Sequence, residues 1–193
     1  MRLLIVGCGR SGTRYTTKVL QRAGLDIGHE KPRQHGMVHW KSVVVQGHLD
    51  AHDVVWHQVR EPLGVISSFH TVGESSWQFI CKHEQRIGMD DPLLLRCMKY
   101  WHYWNQRCEE VAAVTFRVEN MAAILPNILR RMNIRVDGRV TEDAMRVPDN
   151  DHTRKRGHRR SGMYSPITWA DMESVETALA SSIRTQAKMY GYA

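Results

Sequence analysis

The sequence predicts an α/β domain with a central, mostly parallel sheet flanked by helices, and three observations carry that prediction. Leu3-Leu4-Ile5-Val6 is a short continuous apolar run, the pattern of a strand buried on both faces. It ends at Gly7 in a glycine-rich turn that opens onto residues 13–23, where Val19, Leu20 and Ala23 fall at helical spacing and Gly24 stands at the C-terminal cap position. Two later apolar runs, 53–59 and 113–118, are separated by helical segments rather than by hairpin turns.

The remaining elements follow in order. Pro62 and Gly64 break the second strand, DVVWHQV, before a short helix running through Ser67 to His70. Asp91-Pro92 reads as an N-cap followed by a first-turn proline. After it, Leu94, Cys97, Met98, Trp101, Trp104, Cys108 and Val111 mark one helical face, expected to be core. Thr168-Trp169-Ala170-Asp171 resembles a capping box, and Trp169, Met172, Val175, Leu179 and Ile183 continue from it as a C-terminal amphipathic helix. Residues 147–166 carry Arg154, Lys155, Arg156, Arg159 and Arg160 with few apolar anchors and read as a basic loop or lid. With no internal repeat or low-complexity linker, residues 1–193 are read as a single domain.

Composition agrees: 193 residues, 42% hydrophobic and 24% charged, suit one soluble domain and are too few for two full enzyme domains. Lys and Arg exceed Asp and Glu by 27 to 20, and the formal charge of +7 favours anionic ligands without choosing among nucleic acid, membrane and nucleotide. The early apolar run is only four residues long and is soon followed by Arg10 and Arg14. Neither a signal-peptide core nor a membrane span is expected, and the expected location is cytoplasmic. The four cysteines form no CxxC pair and are read as reduced, mostly packing residues.

Gly7-Cys8-Gly9-Arg10-Ser11-Gly12-Thr13-Arg14 follows a buried strand and opens a helix, so backbone N–H groups and a helix N-terminus face one anion. Gly7 and Gly12 match the outer glycines of GxxxxGK[ST]. Thr13 stands where that pattern has lysine, and Arg14 where it has the hydroxyl that holds magnesium, which argues against NTP hydrolysis. Gly7, Gly9 and Gly12 also fit GxGxxG, but residues 24–40 offer no clear strand ending in a ribose-binding acid.

Arg10-Ser11-Gly12-Thr13 resembles the 5′-phosphosulfate loop of sulfotransferases that use 3′-phosphoadenosine 5′-phosphosulfate (PAPS), in the RSGT form of the tyrosylprotein and carbohydrate enzymes. Independently, Arg60-Glu61-Pro62 with Ser68 resembles that superfamily's 3′-phosphate motif, an RxP at a strand end with a serine eight positions after the arginine. An arginine plus a serine at a helix start suits a phosphate that ATP lacks. Phe116-Arg117-Val118-Glu119-Asn120-Met121 is similar to a third, structural segment of these proteins. The resemblance implies a short member with a three-layer, P-loop-like fold. It implies transfer of the sulfuryl group from PAPS to an acceptor hydroxyl, in line and without a metal. The implied donor site is Gly9, Arg10, Ser11, Gly12, Thr13 and Arg14 at the 5′ end and Arg60 and Ser68 at the 3′-phosphate. Arg154, Lys155, Arg156 and Gly157 are the counterpart of a late segment that folds over that phosphate.

Such transfer needs a base and positive charge on the departing phosphate. Arg10 is assigned the second role by the resemblance. Glu30 is the first candidate base, from the tyrosylprotein-type branch; His48 is its rival, because the small-molecule branch uses a histidine ahead of the RxP strand. An imidazole titrates in the useful range, whereas a carboxylate needs partial desolvation. His35 with His39, and His48 with His52, have the HxxxH spacing of metal ligands on a helix, but no glutamate follows as in HExxH, and no metal is expected. The expected acceptor is a small molecule or carbohydrate, with neither nucleic acid nor membrane as partner. The alternatives are an ATP-dependent phosphotransferase and a non-catalytic nucleotide- or nucleic-acid-binding domain, the latter using Trp40, Trp56, Trp77 and Tyr164 for stacking.

Overall fold

The computed structural model describes residues 1–135, 138–146 and 166–193. The chain gathers into two compact units: Met1–Gly7, Ser11–Arg60 and Cys108–Asn150 in the first, and Cys8–Arg10, Glu61–Arg107 and Asp151–Ala193 in the second. The basic loop with Arg154, Lys155, Arg156 and Gly157 lies outside the described residues.

The first unit holds a five-stranded parallel sheet flanked by helices, with strand order β2-β3-β1-β4-β5. The strands are β1 (Leu3–Gly7), β2 (Gly28–His29), β3 (Gly36–Val38), β4 (Val54–Val59) and β5 (Val114–Arg117). β1 pairs with β3 through Leu3↔Gly36 to Ile5↔Val38 and with β4 through Leu3↔Val54 to Gly7↔Gln58. A dinucleotide-binding sheet would instead place its second strand beside the first. Here β2 is at the edge, so the order departs from that fold despite the GxGxxG spacing.

All five residues of β1 are buried, as its unbroken apolar run requires. Leu3, Ile5, Val38, Val54, Trp56 and Phe116 line one face of the sheet. They pack with Val19 and Leu20 of α1 (Thr13–Arg22), with Leu125 and Leu129 of the helix Met121–Arg131, and with Ala144 of the helix Gly138–Met145. On the opposite face Leu4 and Val6 are fully buried. Gly36 opens β3 at φ 113, where an added Cβ would lie 1.9 Å from the Leu3 carbonyl oxygen.

The second unit contains α2 (Pro62–Phe69), α3 (Glu74–His83), residues 93–107 of α4 (Leu93–Val111), and two later helices. We number the helices Met121–Arg131 and Gly138–Met145 α5 and α6, and these last two α7 (Trp169–Val175) and α8 (Thr177–Met189). Glu61 caps α2, its carboxylate accepting from the Leu63 and Gly64 amides at 2.7 Å each, and Pro62 fills the first turn. The expected face of α4 is core at Cys97, Met98, Trp101 and Trp104. Its start differs from expectation. Asp91 does not cap it; the carboxylate accepts from the Gly88 amide (2.7 Å) and Lys99 Nζ (2.9 Å) instead. The capping box at Thr168 and Asp171 forms. The helix it starts is not continuous to Ile183, because Glu176 turns extended (φ −158) and its side chain caps α8 by accepting from Ala178.

Trp40, Trp56 and Trp77 are all buried, which removes them as stacking surfaces. Among the described residues, no helix is long and apolar enough to cross a membrane. Glu84 is buried between Arg86 (2.7 Å) and Arg107 (2.7 Å). Burial alone would raise its pKa, but the hydrogen bonds from both guanidinium groups outweigh that and hold it at about 2.

Two stability outcomes follow. Gly36→Ala should lower stability by about 2 kcal/mol or more, through the clash and the positive φ, read by chemical denaturation. Glu84→Gln should destabilise the protein at neutral pH. A depressed folded pKa stabilises above the unfolded value of 4.5 and loses that contribution as pH falls through about 2, so the gap to wild type should close across that window. A gap that does not narrow with acid would show that the carboxylate charge is not what the arginines hold.

Candidate functional site

In a parallel sheet the C-terminal strand ends share one edge, where open α/β sheets bind ligands. In the first unit that edge receives the start of α1. Gly12 precedes the helix at φ 86 and ψ 18, and an added Cβ would stand 3.1 Å from Val118 Cγ2. The helix has no side-chain N-cap and no acidic residue in its first turn, so its leading N–H groups and positive dipole end suit an anion.

The polar atoms around this start are unusually unsatisfied. Ser11 is 1% exposed, yet its Oγ has no hydrogen-bond partner among the described residues, and neither do the buried Thr16 Oγ1 and Gln58 Oε1. Gln58, from β4, donates its amide Nε2 to the Ser11 carbonyl at 2.5 Å, fixing the loop to the neighbouring strand. A buried polar atom left unpaired costs about 1–3 kcal/mol, so the two hydroxyls, just before and within the first turn of an uncapped helix, are donors suited to an anion there, whereas Gln58 Oε1 can only accept. Thr13 Oγ1 lies 3.2 Å from His29 Nε2 and joins α1 to the end of β2.

Beside it, the ends of β2 and β3 assemble a cluster of titratable groups. His29 pairs in register with Val38, so Glu30 and His39 follow at adjacent strand ends. Glu30 is exposed, sits at φ 60, and donates its N–H to the Val38 carbonyl at 3.1 Å. His39 is 9% exposed, and its N–H bonds to the Ile5 carbonyl at 2.9 Å, extending the pairing of β1 with β3. Ser42, fully buried, places Oγ 3.0 Å from His39 Nδ1 and 2.9 Å from His48 Nδ1. The two rings lie 5.9 Å apart. Burial pulls the His39 pKa down to about 4, the Glu30 carboxylate opposing and His48, Lys41 and His29 adding to the fall. Burial also lowers His29, with Glu30 opposing and the exposed Arg14 assisting.

The two sequence-selected bases, Glu30 and His48, therefore both border His39, by charge and through Ser42. Sequence reading selected neither His39 nor Ser42; the available signal was a histidine directly after a strand too short to show alternation. The HxxxH pairs are not helical: His35 and His39 flank β3, and His48 and His52 lie in a turn where His52 Nδ1 donates to the His48 carbonyl at 2.6 Å. Among the described residues no group of three or more His, Cys, Asp or Glu could hold a metal ion.

In the second unit, the Gly9 amide donates to the Tyr100 hydroxyl at 2.7 Å, and Cys8 Sγ lies 3.4 Å from Asn105 Oδ1. Gly9 thus has its N–H engaged by the Tyr100 hydroxyl. Tyr100 stacks on Phe69 at 4.1 Å and meets Trp77 edge-on, a rigid aromatic support that sequence reading did not select. Arg10 adopts φ 71, and burial works against its charge, with Tyr100 opposing. Ser68 is half-buried in the last turn of α2, while Ser67 is engaged, donating to the Leu63 carbonyl and accepting from the Ile167 amide. Arg60, in the first unit, is exposed one residue past β4.

No protein-family model matches the chain, and no curated protein does. Among solved structures it is similar to a mouse sulfotransferase, SULT7A1, complexed with PAP. The TM-score is 0.51 at 14% identity, covering 90% of this chain and 66% of the mouse chain, just under two thirds of it. The fold is sulfotransferase-like.

Gln58→Leu removes the amide that holds Ser11 and leaves a buried carbonyl unpaired. It should lower unfolding free energy by about 1–3 kcal/mol in chemical denaturation. An unchanged midpoint would mean that the loop is held by its own turn geometry.

Proposed function

We propose that this protein is a sulfotransferase that moves the sulfuryl group from PAPS to a hydroxyl of a small-molecule or carbohydrate acceptor, in the cytoplasm and without a metal. One observation carries the reading most: two buried hydroxyls, Ser11 Oγ of the RSGT loop and Thr16 Oγ1 in the first turn of α1, are unpaired at an uncapped helix start, on a sheet of sulfotransferase-like fold. Those atoms and the helix N–H groups fit the anionic 5′ end of such a donor, and the RxP segment with its serine fits the 3′-phosphate.

In this reading the donor supplies a sulfur electrophile with a phosphate leaving group. Ser11, Gly12, Thr13 and Arg14 bind and orient it, Arg10 places positive charge where the phosphate departs, and Arg60 and Ser68 hold the 3′-phosphate. The proton of the acceptor goes to a base in the cluster at the ends of β2 and β3, where Glu30 and His48 are the candidates. An ATP phosphotransferase has less support, because Thr13 and Arg14 stand where lysine and a magnesium-binding hydroxyl are needed.

Thermal unfolding with 3′,5′-adenosine bisphosphate, ADP and ATP, each with and without magnesium, tests the donor. A ligand at a hundred times its dissociation constant adds about 2.7 kcal/mol, so the bisphosphate alone should raise the midpoint clearly, without magnesium. The double variant Arg60→Ala, Ser68→Ala should lose that rise while unfolding normally in its absence. A magnesium-dependent preference for ATP would replace this reading with phosphoryl transfer.

A further inference from the structure

We propose that Ser42 is a positioning residue whose hydroxyl holds the His39 and His48 rings in opposite tautomers, so that the pair presents one bare Nε2 and one Nε2–H. The argument counts protons. Both rings turn Nδ1 to the same oxygen, at 3.0 and 2.9 Å, and that oxygen belongs to a fully buried side chain with a single proton. A hydroxyl donates one hydrogen bond, so it satisfies one Nδ1 lone pair. The other ring must carry a proton on Nδ1 and donate to the oxygen. Two bare Nδ1 atoms would leave one unpaired, and two protonated ones would leave the buried hydroxyl proton without an acceptor.

Burial gives the pair its direction. His39 is 9% exposed and holds its neutral form down to about pH 4, whereas His48 is half-buried. The ring that an incoming proton can reach is then His48. As an imidazolium it carries hydrogen on both nitrogens, which is compatible with Nδ1–H donating to Ser42 before and after protonation. Ser42 in turn donates to His39 Nδ1, which leaves His39 with Nε2–H. Glu30, His29 and Lys41 act electrostatically on His39, and His52 donates to the His48 carbonyl, fixing the backbone of that residue.

What the pair does rests on the sulfotransferase reading; the tautomers do not. In that reading the acceptor oxygen bonds to sulfur as the bond from sulfur to the 5′-phosphate oxygen breaks. The leaving bisphosphate keeps the electron pair, and the acceptor's proton passes to His48 Nε2 and afterwards to water. No proton crosses Ser42, which only orients.

Long-range 1H–15N correlation of the imidazoles, on the intact chain without nucleotide near neutral pH, reads the tautomers directly. The expected result is an Nδ1–H form at His48 and an Nε2–H form at His39; the same tautomer at both overturns the proposal in wild type alone. Ser42→Ala should release His48 into an average of the two forms with the remaining spectrum still dispersed, and Ser42→Thr, which keeps the hydroxyl, should retain the locked signals. An Ser42→Ala spectrum with unaltered imidazole signals also overturns it. In turnover with PAPS, Ser42→Ala should lower kcat about tenfold with little change in KM, a part of the roughly hundredfold or more that a positioned base contributes, and Ser42→Thr should recover it. An unchanged kcat in Ser42→Ala would remove the positioning role. Absence of sulfuryl transfer by wild type would instead sink the donor reading and leave the tautomer result standing.

Discussion

The parallel pairing of β1 with β3 on one side and β4 on the other is the constraint on which the rest depends. Because all three strands run the same way, their ends converge: Gly7 closes β1 opposite Gln58, and His39 continues the β1–β3 pairing through Ile5. A one-residue slip between β1 and β4 would invert which face each side chain takes and move the Gln58 amide away from Ser11. The packing of Leu3, Ile5, Val54 and Trp56 in one buried cluster accompanies that register. Core packing is therefore tied to the geometry of the polar edge through that register, although the two share no side chains.

At that edge the protein combines two kinds of incomplete satisfaction. Around the start of α1, the buried Ser11 and Thr16 hydroxyls are left without partners, a local loss that an anionic ligand with many acceptors would offset. Around Ser42 the opposite holds, since one hydroxyl is shared by two imidazoles and every nitrogen facing it is engaged. The first arrangement is suited to capture and the second to exact orientation of a proton acceptor. His29 lies between them, touching Thr13 on one side and sensing Glu30 on the other.

Much of the framework was readable from the residues themselves. β1 and β4 declare themselves as apolar runs and α4 by a seven-position face, because each buries many side chains; β5 shows as a run of β-branched and aromatic residues although only Phe116 of it is buried. β2 and β3 have two and three residues, too few for alternation, and are held by register with β1 rather than by their own composition. That is why Glu30 and His48 were reached through resemblance while His39 and Ser42, whose importance lies in who they face, were not. Tyr100 escaped for a related reason: a phenol next to a core stripe carries no sign that its hydroxyl will take the Gly9 amide. The break at Glu176 was hidden because the apolar spacing of α7 and α8 stays in phase across it. The RSGT loop and the RxP segment were legible as short strings, since in the proposed function both would meet phosphate directly, and such contacts restrict the residues themselves.

Arg10 and Glu30 both sit in the left-handed region, at φ 71 and φ 60, where glycine is the unstrained choice. A glycine at either position would relax the backbone and make the free protein more stable, while deleting a charged side chain from the loop or from the histidine cluster. Selection for thermostability alone would thus favour glycine at these two sites, and in the proposed function each such change would remove a working charge. Any effort to harden this scaffold for use should hold both residues invariant and seek its gains in the helices away from the strand ends.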